Sequence, residues 1–283
     1  MIDTVYIISW FGDNENRERR KRFHEKQIAW LLERDMNIVI LPQFYDPGDF
    51  IYHDKIKYLD NQSPGKLLYG GGARNILLKD FYNNDNDYAL LADNDCIIES
   101  VFSGDTFIDE MNLNTDLYKD ITLASAASIP VNVGLDHRKQ MRKKDGYHWF
   151  IPSVRVHNAF TIFRNIVKDG NEPIYNDSEL RVGEDVDFNI KLVLAGYKTY
   201  VFGNLIFKEF GGMNAFSTWE PEYDKRKIYY KEHANLMLKR YAKNGLYAKP
   251  NGNPNYDAFL LSYGIDEKII KIGSKVSTNI FME

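Results

Sequence analysis

Two pairs of carboxylates stand out by type and spacing. Asp93 and Asp95 lie one residue apart at the end of the apolar run Tyr88-Ala-Leu-Leu-Ala, and Glu184 and Asp185 follow Gly183 about ninety residues further on. An Asp-x-Asp pair in a tight turn can aim both side chains at one hard divalent cation, which takes oxygen ligands and leaves room for phosphate oxygens. A carboxylate at the start of a helix can act as a general base. Both pairs also have plainer explanations: Asp-Asn-Asp is good turn chemistry, and acids at a helix N-terminus complement its dipole. A third stretch, Tyr69-Gly70-Gly71-Gly72-Ala73-Arg74-Asn75, places three glycines ahead of a predicted helix. Glycines permit close backbone approach, and a helix N-terminus offers unpaired N–H groups to an anion. Arg74 falls in the first turn expected for that helix, where a cation opposes the dipole, so a flexible linker or a binding loop both fit.

The elements that must position these groups follow from periodicity. Val5-Tyr-Ile-Ile-Ser-Trp10 reads as a first strand, and Arg17 to Glu33 as a helix with Phe23, Ile28, Leu31 and Leu32 on one side. Asn37-Ile-Val-Ile-Leu41 reads as a second strand stopped by Pro42. That β-α-β order predicts a parallel pair. The run before Asp93 is apolar throughout, as a strand covered on both faces would be, and in open α/β sheets ligands bind at the carboxyl ends of strands. Asp105 to Met111 is expected to be helical, and Ile121 to Ala127 and Pro152 to Arg164 to be strands. Val186, Ile190, Val193 and Leu194 recur at helical spacing after Gly183, Gly196 closes that helix, and Tyr197 to Phe202 gives another strand. A long helix from about Asp224 to Ala242 carries His233. The turn-rich tail is expected to end in a short apolar helix or strand near Ile269 to Ile272.

Composition narrows the function classes. The 283 residues are 44% hydrophobic and 27% charged, with a net charge of −4 and a single cysteine, Cys96. No stretch approaches the length of a membrane span, and the N-terminus lacks the pattern of a signal peptide. One cysteine forms no internal disulfide, which fits a reducing cytoplasmic setting, and its apolar flank suits a buried thiol. The overall charge gives no general preference for nucleic acid. Two basic runs, Arg17 to Arg22 and Arg138, Lys139, Arg142, Lys143, Lys144, suit either a solvated face or phosphate contacts, as does the looser set Lys239, Arg240, Lys243 and Lys249. Gly134 to Tyr147 is most simply a mobile surface loop. No G-x-G-x-x-G follows the first strand and no Gly-Lys-Ser/Thr follows Gly72, which argues against a dinucleotide site and a P-loop.

The order of these motifs resembles the GT-A fold glycosyltransferases, in particular family 2-like members, over roughly residues 5 to 245. The resemblance rests on a first strand ending at a donor pocket, Gly72-Ala73-Arg74-Asn75 at a helix start, Asp93-Asn94-Asp95, the strand-like Ala159 to Arg164, and Gly183-Glu184-Asp185 opening a helix. It implies an α/β architecture with a mostly parallel, Rossmann-like central sheet flanked by helices, a catalytic domain over 1–245 and a helical C-terminal extension over 246–283. It implies a nucleotide-sugar donor, a UDP-sugar, and a divalent cation, Mn²⁺ or Mg²⁺. Asp93 and Asp95 would handle that cation, with His233 a late ligand. Ser9, Trp10, Gly72, Arg74, Asn75 and Asp93 would line the nucleotide-sugar pocket. Asp185 would be the base of an inverting transfer of glucose or a pentose, with Glu184 the runner-up. The Asn-, Asp-, Lys- and Tyr-rich composition is similar to phage glycosyltransferases that modify hydroxymethylcytosine, or a sugar already on it, in double-stranded DNA. On that resemblance Arg138, Lys139, Arg142, Lys143 and Lys144 would hold phosphates, and His148, Trp149 or Trp219 would stack on a base. A surface-glycan or small-molecule acceptor and a catalytically silent binding module are the alternatives. A nucleotidyltransferase would place its Gly-rich loop directly after the first strand, where this chain has Phe11-Gly12-Asp13.

Overall fold

The computed structural model describes residues 2–11, 17–60, 68, 70–94, 96–100, 123–129, 148–154, 156, 160–175, 183–209, 226–265 and 270–272. Its amino-terminal half alternates strand and helix: β1 (Thr4–Trp10), α1 (Arg17–Leu32), β2 (Asn37–Gln43), β3 (Ile56–Tyr58), α2 (Gly70–Tyr82) and β4 (Tyr88–Asp93). There follow β5 (Cys96–Ser100), β6 (Leu123–Ile129), β7 (His148–Pro152), β8 (Phe160–Arg164), α3 (Glu184–Leu194), β9 (Thr199–Glu209), α4 (Arg226–Tyr241), α5 (Tyr256–Ser262) and β10 (Ile270–Ile272).

The described strands form one sheet in the order β10-β7-β9-β6-β8-β4-β1-β2-β3, with β5 paired to β9. Neighbours in β3-β2-β1-β4 are parallel, as are β6 and β9, whereas β8 runs antiparallel between β4 and β6. The expected α/β architecture is therefore present, with β1 at the centre of its parallel part. Strand alternation divides the core between two faces. Val5, Ile7, Ile38, Ile40, Leu90 and Ala92 pack with Ile28 and Leu31 of α1. Tyr6, Val39, Leu41, Ala89 and Leu91 pack with Leu77, Leu78 and Phe81 of α2 and with Phe188 and Leu192 of α3. A third cluster joins Ile190 and Val193 of α3 to Met237 and Tyr241 of α4 and to Leu246, Tyr256, Phe259 and Leu260.

Several expectations need correction. β2 continues through Pro42 to Gln43, because β3 pairs only as far as Ile40 and the missing N–H of Pro42 interrupts no ladder on that side. The glycines lie within α2, which begins at Gly70, so Arg74 stands just past the first turn. The single strand expected over Pro152 to Arg164 is two: β7 ends at Pro152 and β8 begins at Phe160. The turn-rich tail holds an additional helix, α5, capped by the Asn255 side chain. Of the helix or strand expected near Ile269 to Ile272, the structure has the strand, β10. The helix expected over Asp105 to Met111 and the loop expected over Gly134 to Tyr147 lie outside the described residues.

Candidate active site

β1 and β4 are adjacent and parallel, with Ile8 opposite Asp93, so Ser9, Trp10 and Asp93 come to the same carboxyl edge. From the next layer, α2 contributes one side chain that organises the site. The Arg74 guanidinium is buried and lies 3.3 Å from a carboxylate oxygen of Asp93, 3.2 Å from Glu184 and 3.2 Å from Asp185. Residues over a hundred positions apart in sequence thus meet on one cation. Burial disfavours the guanidinium charge, but Asp185 and Asp93, with smaller contributions from Tyr175 and Glu184, outweigh it and hold Arg74 firmly protonated.

Three carboxylates around one guanidinium leave an excess of negative charge in a largely closed space. Burial first, then the neighbouring Asp185 charge, push the Glu184 carboxyl up to about 7, against the opposing pull of Arg74. The α3 N-terminus tempers the repulsion, since Glu184 and Asp185 occupy its first turn. Close approach at this point depends on a glycine. A Cβ on Gly70 would lie 2.6 Å from Glu184 Oε1 and 2.8 Å from Arg74 Nη1, so a glycine inside a helix admits the carboxylate.

Surrounding side chains brace this core. Tyr175 stacks on Phe188 with centroids 4.1 Å apart and lies 5.7 Å from the Arg74 guanidinium. Asn75 fixes the Tyr175 backbone in both directions, donating from Nδ2 to its carbonyl at 3.0 Å and accepting from its N–H at 2.7 Å. Both polar ends of the Asn75 amide are therefore engaged with the Tyr175 backbone. Ser9 is fully buried, and its hydroxyl accepts a hydrogen bond from Tyr45. The Trp10 carbonyl accepts from Arg20 at 3.2 Å and from Asn94 Nδ2 at 3.1 Å, and the Arg20 guanidinium lies over the Trp10 ring. Gly72 lies in the first turn of α2, two residues before Arg74.

His233 reaches the same region from α4. It is 8% exposed, and its ring lies against Gly183, where a Cβ would come within 2.3 Å of Cε1. Gly183 takes the left-handed conformation, φ 76°, as the residue before α3. Burial holds the imidazole pKa below its ordinary value, with Asp187 opposing, and Nδ1 has no hydrogen-bond partner among the described residues. A neutral ring with an unused nitrogen is the form that ligates a metal. Its helix is fastened to α3 by Asp187, which is fully buried and accepts from Arg240 at 2.6 Å and Tyr241 at 2.7 Å.

By type, the Asp93 carboxylate and the His233 imidazole, whose Nδ1 has no hydrogen-bond partner among the described residues, suit a divalent cation. Among the described residues no three His, Cys, Asp or Glu side chains converge on one point. A cation of this kind commonly takes one or two carboxylates and completes its shell with water and substrate phosphate, so convergence of three protein groups is not required. Asp95 lies outside the described residues, as do Arg138, Lys139, Arg142, Lys143, Lys144 and Trp219. His148 and Trp149 are placed in β7, paired with Ile272 and Lys271 of β10. Of the basic run at the start, Arg17 and Lys21 are ion-paired with Asp49. Tyr175 was not singled out from sequence, and Gly70 and Gly183 were read only as members of motifs, without a role of their own. The only available signal was a glycine triplet at a helix start and a lone glycine before an acidic pair.

No family model and no curated protein matches the chain. Among solved structures it is similar to GalNAc-T7 with UDP, GalNAc and Mn²⁺, with a TM-score of 0.52, 9% identity and 94% of this chain covered. The fold is that of the GT-A glycosyltransferases. The chain spans about half of that protein, 55% of its length. Weaker likenesses are A197 from STIV, with a TM-score of 0.43 and 15% identity over 74% of this chain and 86% of that one, and a candidate nucleotide-diphospho-sugar transferase from Desulfovibrio desulfuricans G20, with 0.43 and 13% over 85% and 99%. No described helix is long and apolar enough to cross a membrane.

Proposed function

We propose that this protein is a glycosyltransferase that moves a sugar, glucose or a pentose, from a UDP-sugar to a hydroxyl acceptor with inversion at the anomeric carbon. The observation that supports this reading most is the meeting of Asp93, Glu184 and Asp185 on Arg74 at the carboxyl edge of a GT-A sheet. GalNAc-T7 was crystallised with UDP, GalNAc and Mn²⁺, which agrees with the donor and cation proposed. Asp93 and Asp95, with His233, are the residues that would hold Mn²⁺ or Mg²⁺, and the cation would neutralise the leaving diphosphate.

The chain's own groups divide the remaining work. Asp185 accepts the proton of the acceptor hydroxyl as that oxygen attacks the anomeric carbon and the bond to the diphosphate breaks. Glu184, its carboxyl pushed up to about 7 by burial and the neighbouring Asp185, lies beside the base, and Arg74 orients the acids. Tyr175, its backbone fixed by Asn75, packs beside the Arg74 guanidinium. The acceptor rests on the sequence: the basic stretch Arg138 to Lys144 and the composition favour hydroxymethylcytosine, or its glucosylated form, in double-stranded DNA.

The test is transfer of labelled sugar from a panel of UDP-sugars, with Mn²⁺, onto duplex DNA containing cytosine, hydroxymethylcytosine or glucosylated hydroxymethylcytosine. Label on modified DNA alone is the expected result, and Asp185→Asn should abolish it while leaving UDP-sugar binding within about twofold. Metal-dependent hydrolysis of one UDP-sugar without DNA labelling would redirect the acceptor to glycans or small molecules. Neither transfer nor hydrolysis with any donor would overturn the enzyme reading in favour of a silent binding module.

A further inference from the structure

Gln27 stands in the middle of α1 and is completely buried. Its Nε2 donates at 2.8 Å to the Asp93 carbonyl and at 2.8 Å to the Cys96 carbonyl. Those carbonyls bracket Asn94 and Asp95, so one amide, with both of its hydrogens engaged, ties the two ends of the acidic turn to a helix on the far face of the sheet. Asn94 supplies the complementary tie to β1, from its N–H to the Ile8 carbonyl at 3.1 Å and from Nδ2 to the Trp10 carbonyl at 3.1 Å. The backbone at Asp93, Asn94 and Cys96 is thereby held from α1 and from β1.

We propose that Gln27 is the positioning residue of the turn after β4, fixing the backbone that presents Asp93 to the cation that would accompany the donor diphosphate. The proposal rests on the glycosyltransferase reading above. An amide that merely satisfied a core position would affect folding alone. A clamp across the turn acts on ligand affinity, because groups that orient metal ligands typically change metal affinity by about 10- to 100-fold when removed. Nothing in the sequence around Gln27 marks it, since its partners lie 66 and 69 residues away.

The experiment compares the wild-type protein with Gln27→Met, which keeps the bulk and removes both donors. Hydrogen exchange is followed over residues 88–99, and UDP binding is titrated at rising Mn²⁺. Exchange in that segment should quicken about tenfold or more, with segments in β2 unchanged, and half-saturating Mn²⁺ should rise about tenfold while metal-free UDP binding stays the same. Ile28→Val, trimming a buried neighbour on the same helix, should lower thermal stability and move neither readout. Unchanged exchange over 88–99, or unchanged Mn²⁺ dependence despite faster exchange, would overturn the proposal. Absence of Mn²⁺-dependent UDP binding in the wild type would overturn the donor reading and Gln27's role with it, a result visible before any variant is made. If Gln27→Met does not fold, Gln27→Glu, of the same shape and without the paired donors, is read by the same two criteria.

Discussion

Replacing Glu184 with Gln should stabilise the protein at alkaline pH and do nothing at acid pH. The carboxyl is displaced from an ordinary value of 4.5 to about 7, first by burial and then by Asp185. A group whose pKa rises on folding binds more protons in the native than in the unfolded state between those two values. Stability therefore falls as pH climbs from about 4.5 to about 7 and stays reduced above it. The displacement corresponds to a ceiling on the order of 3 kcal/mol at pH 8. The glutamate side chain keeps 16% exposure and its contact with Arg74, which the amide oxygen of Gln would partly preserve. The expected gain is thus about 1–2 kcal/mol, a rise in Tm of roughly 2–8 °C for a chain of this size. Urea unfolding of wild type and Glu184→Gln across pH 5 to 9 measures it directly. A loss of stability at pH 8, or a gain as large at pH 5, would refute the idea that three carboxylates compete for one guanidinium. Mn²⁺ should narrow the gap at pH 8, because a cation relieves in the wild type what the substitution relieves in the variant.

The same geometry sets two further outcomes. Arg74→Met should destabilise the fold by about 3–5 kcal/mol at pH 8 and much less at pH 5, since it leaves Asp93, Glu184 and Asp185 without their shared cation; equal losses at both pH values in urea titrations would contradict this. Gly183→Ala should cost about 2–4 kcal/mol, combining a left-handed backbone with a Cβ driven into the His233 ring. Gly196→Ala, at φ 89° with nothing within 4 Å, should cost only about 1 kcal/mol, so similar unfolding midpoints for the two would remove the His233 contact from the argument.

How much of this was legible in the sequence depends on how local each cause is. β1, α1, β4 and α3 were readable because each carries its own period: continuous apolar runs for strands covered on both faces, and Val186, Ile190 and Val193 at helical spacing for α3. The positions of Asp93 at a strand end and of Glu184 and Asp185 at a helix start followed from those boundaries. The start of α2 and the elements that were missed, β5 and α5, obey tertiary demands. α2 begins at Gly70 despite the low helix propensity of three glycines, because the carboxylate of Glu184 requires a residue without a Cβ there. β5 is a five-residue strand whose partner, β9, lies over a hundred residues downstream, and α5 is seven residues long between turn signals.

Within the site, the acids were visible and their organisation was not. Arg74 could be noted as a cation near a helix start, where it opposes the dipole, yet its reason for being there is carried by residues 19, 110 and 111 positions away. Gln27 looks from sequence like one more polar residue on an amphipathic helix, and its burial is explained only by the two carbonyls it reaches. Each departure from local preference lies at the same edge of the sheet: glycine inside a helix, a buried amide, three acids on one arginine. A stable core has no need of any of them. Together they hold an excess of negative charge in fixed geometry, an arrangement that the divalent cation and diphosphate proposed for this site would stabilise.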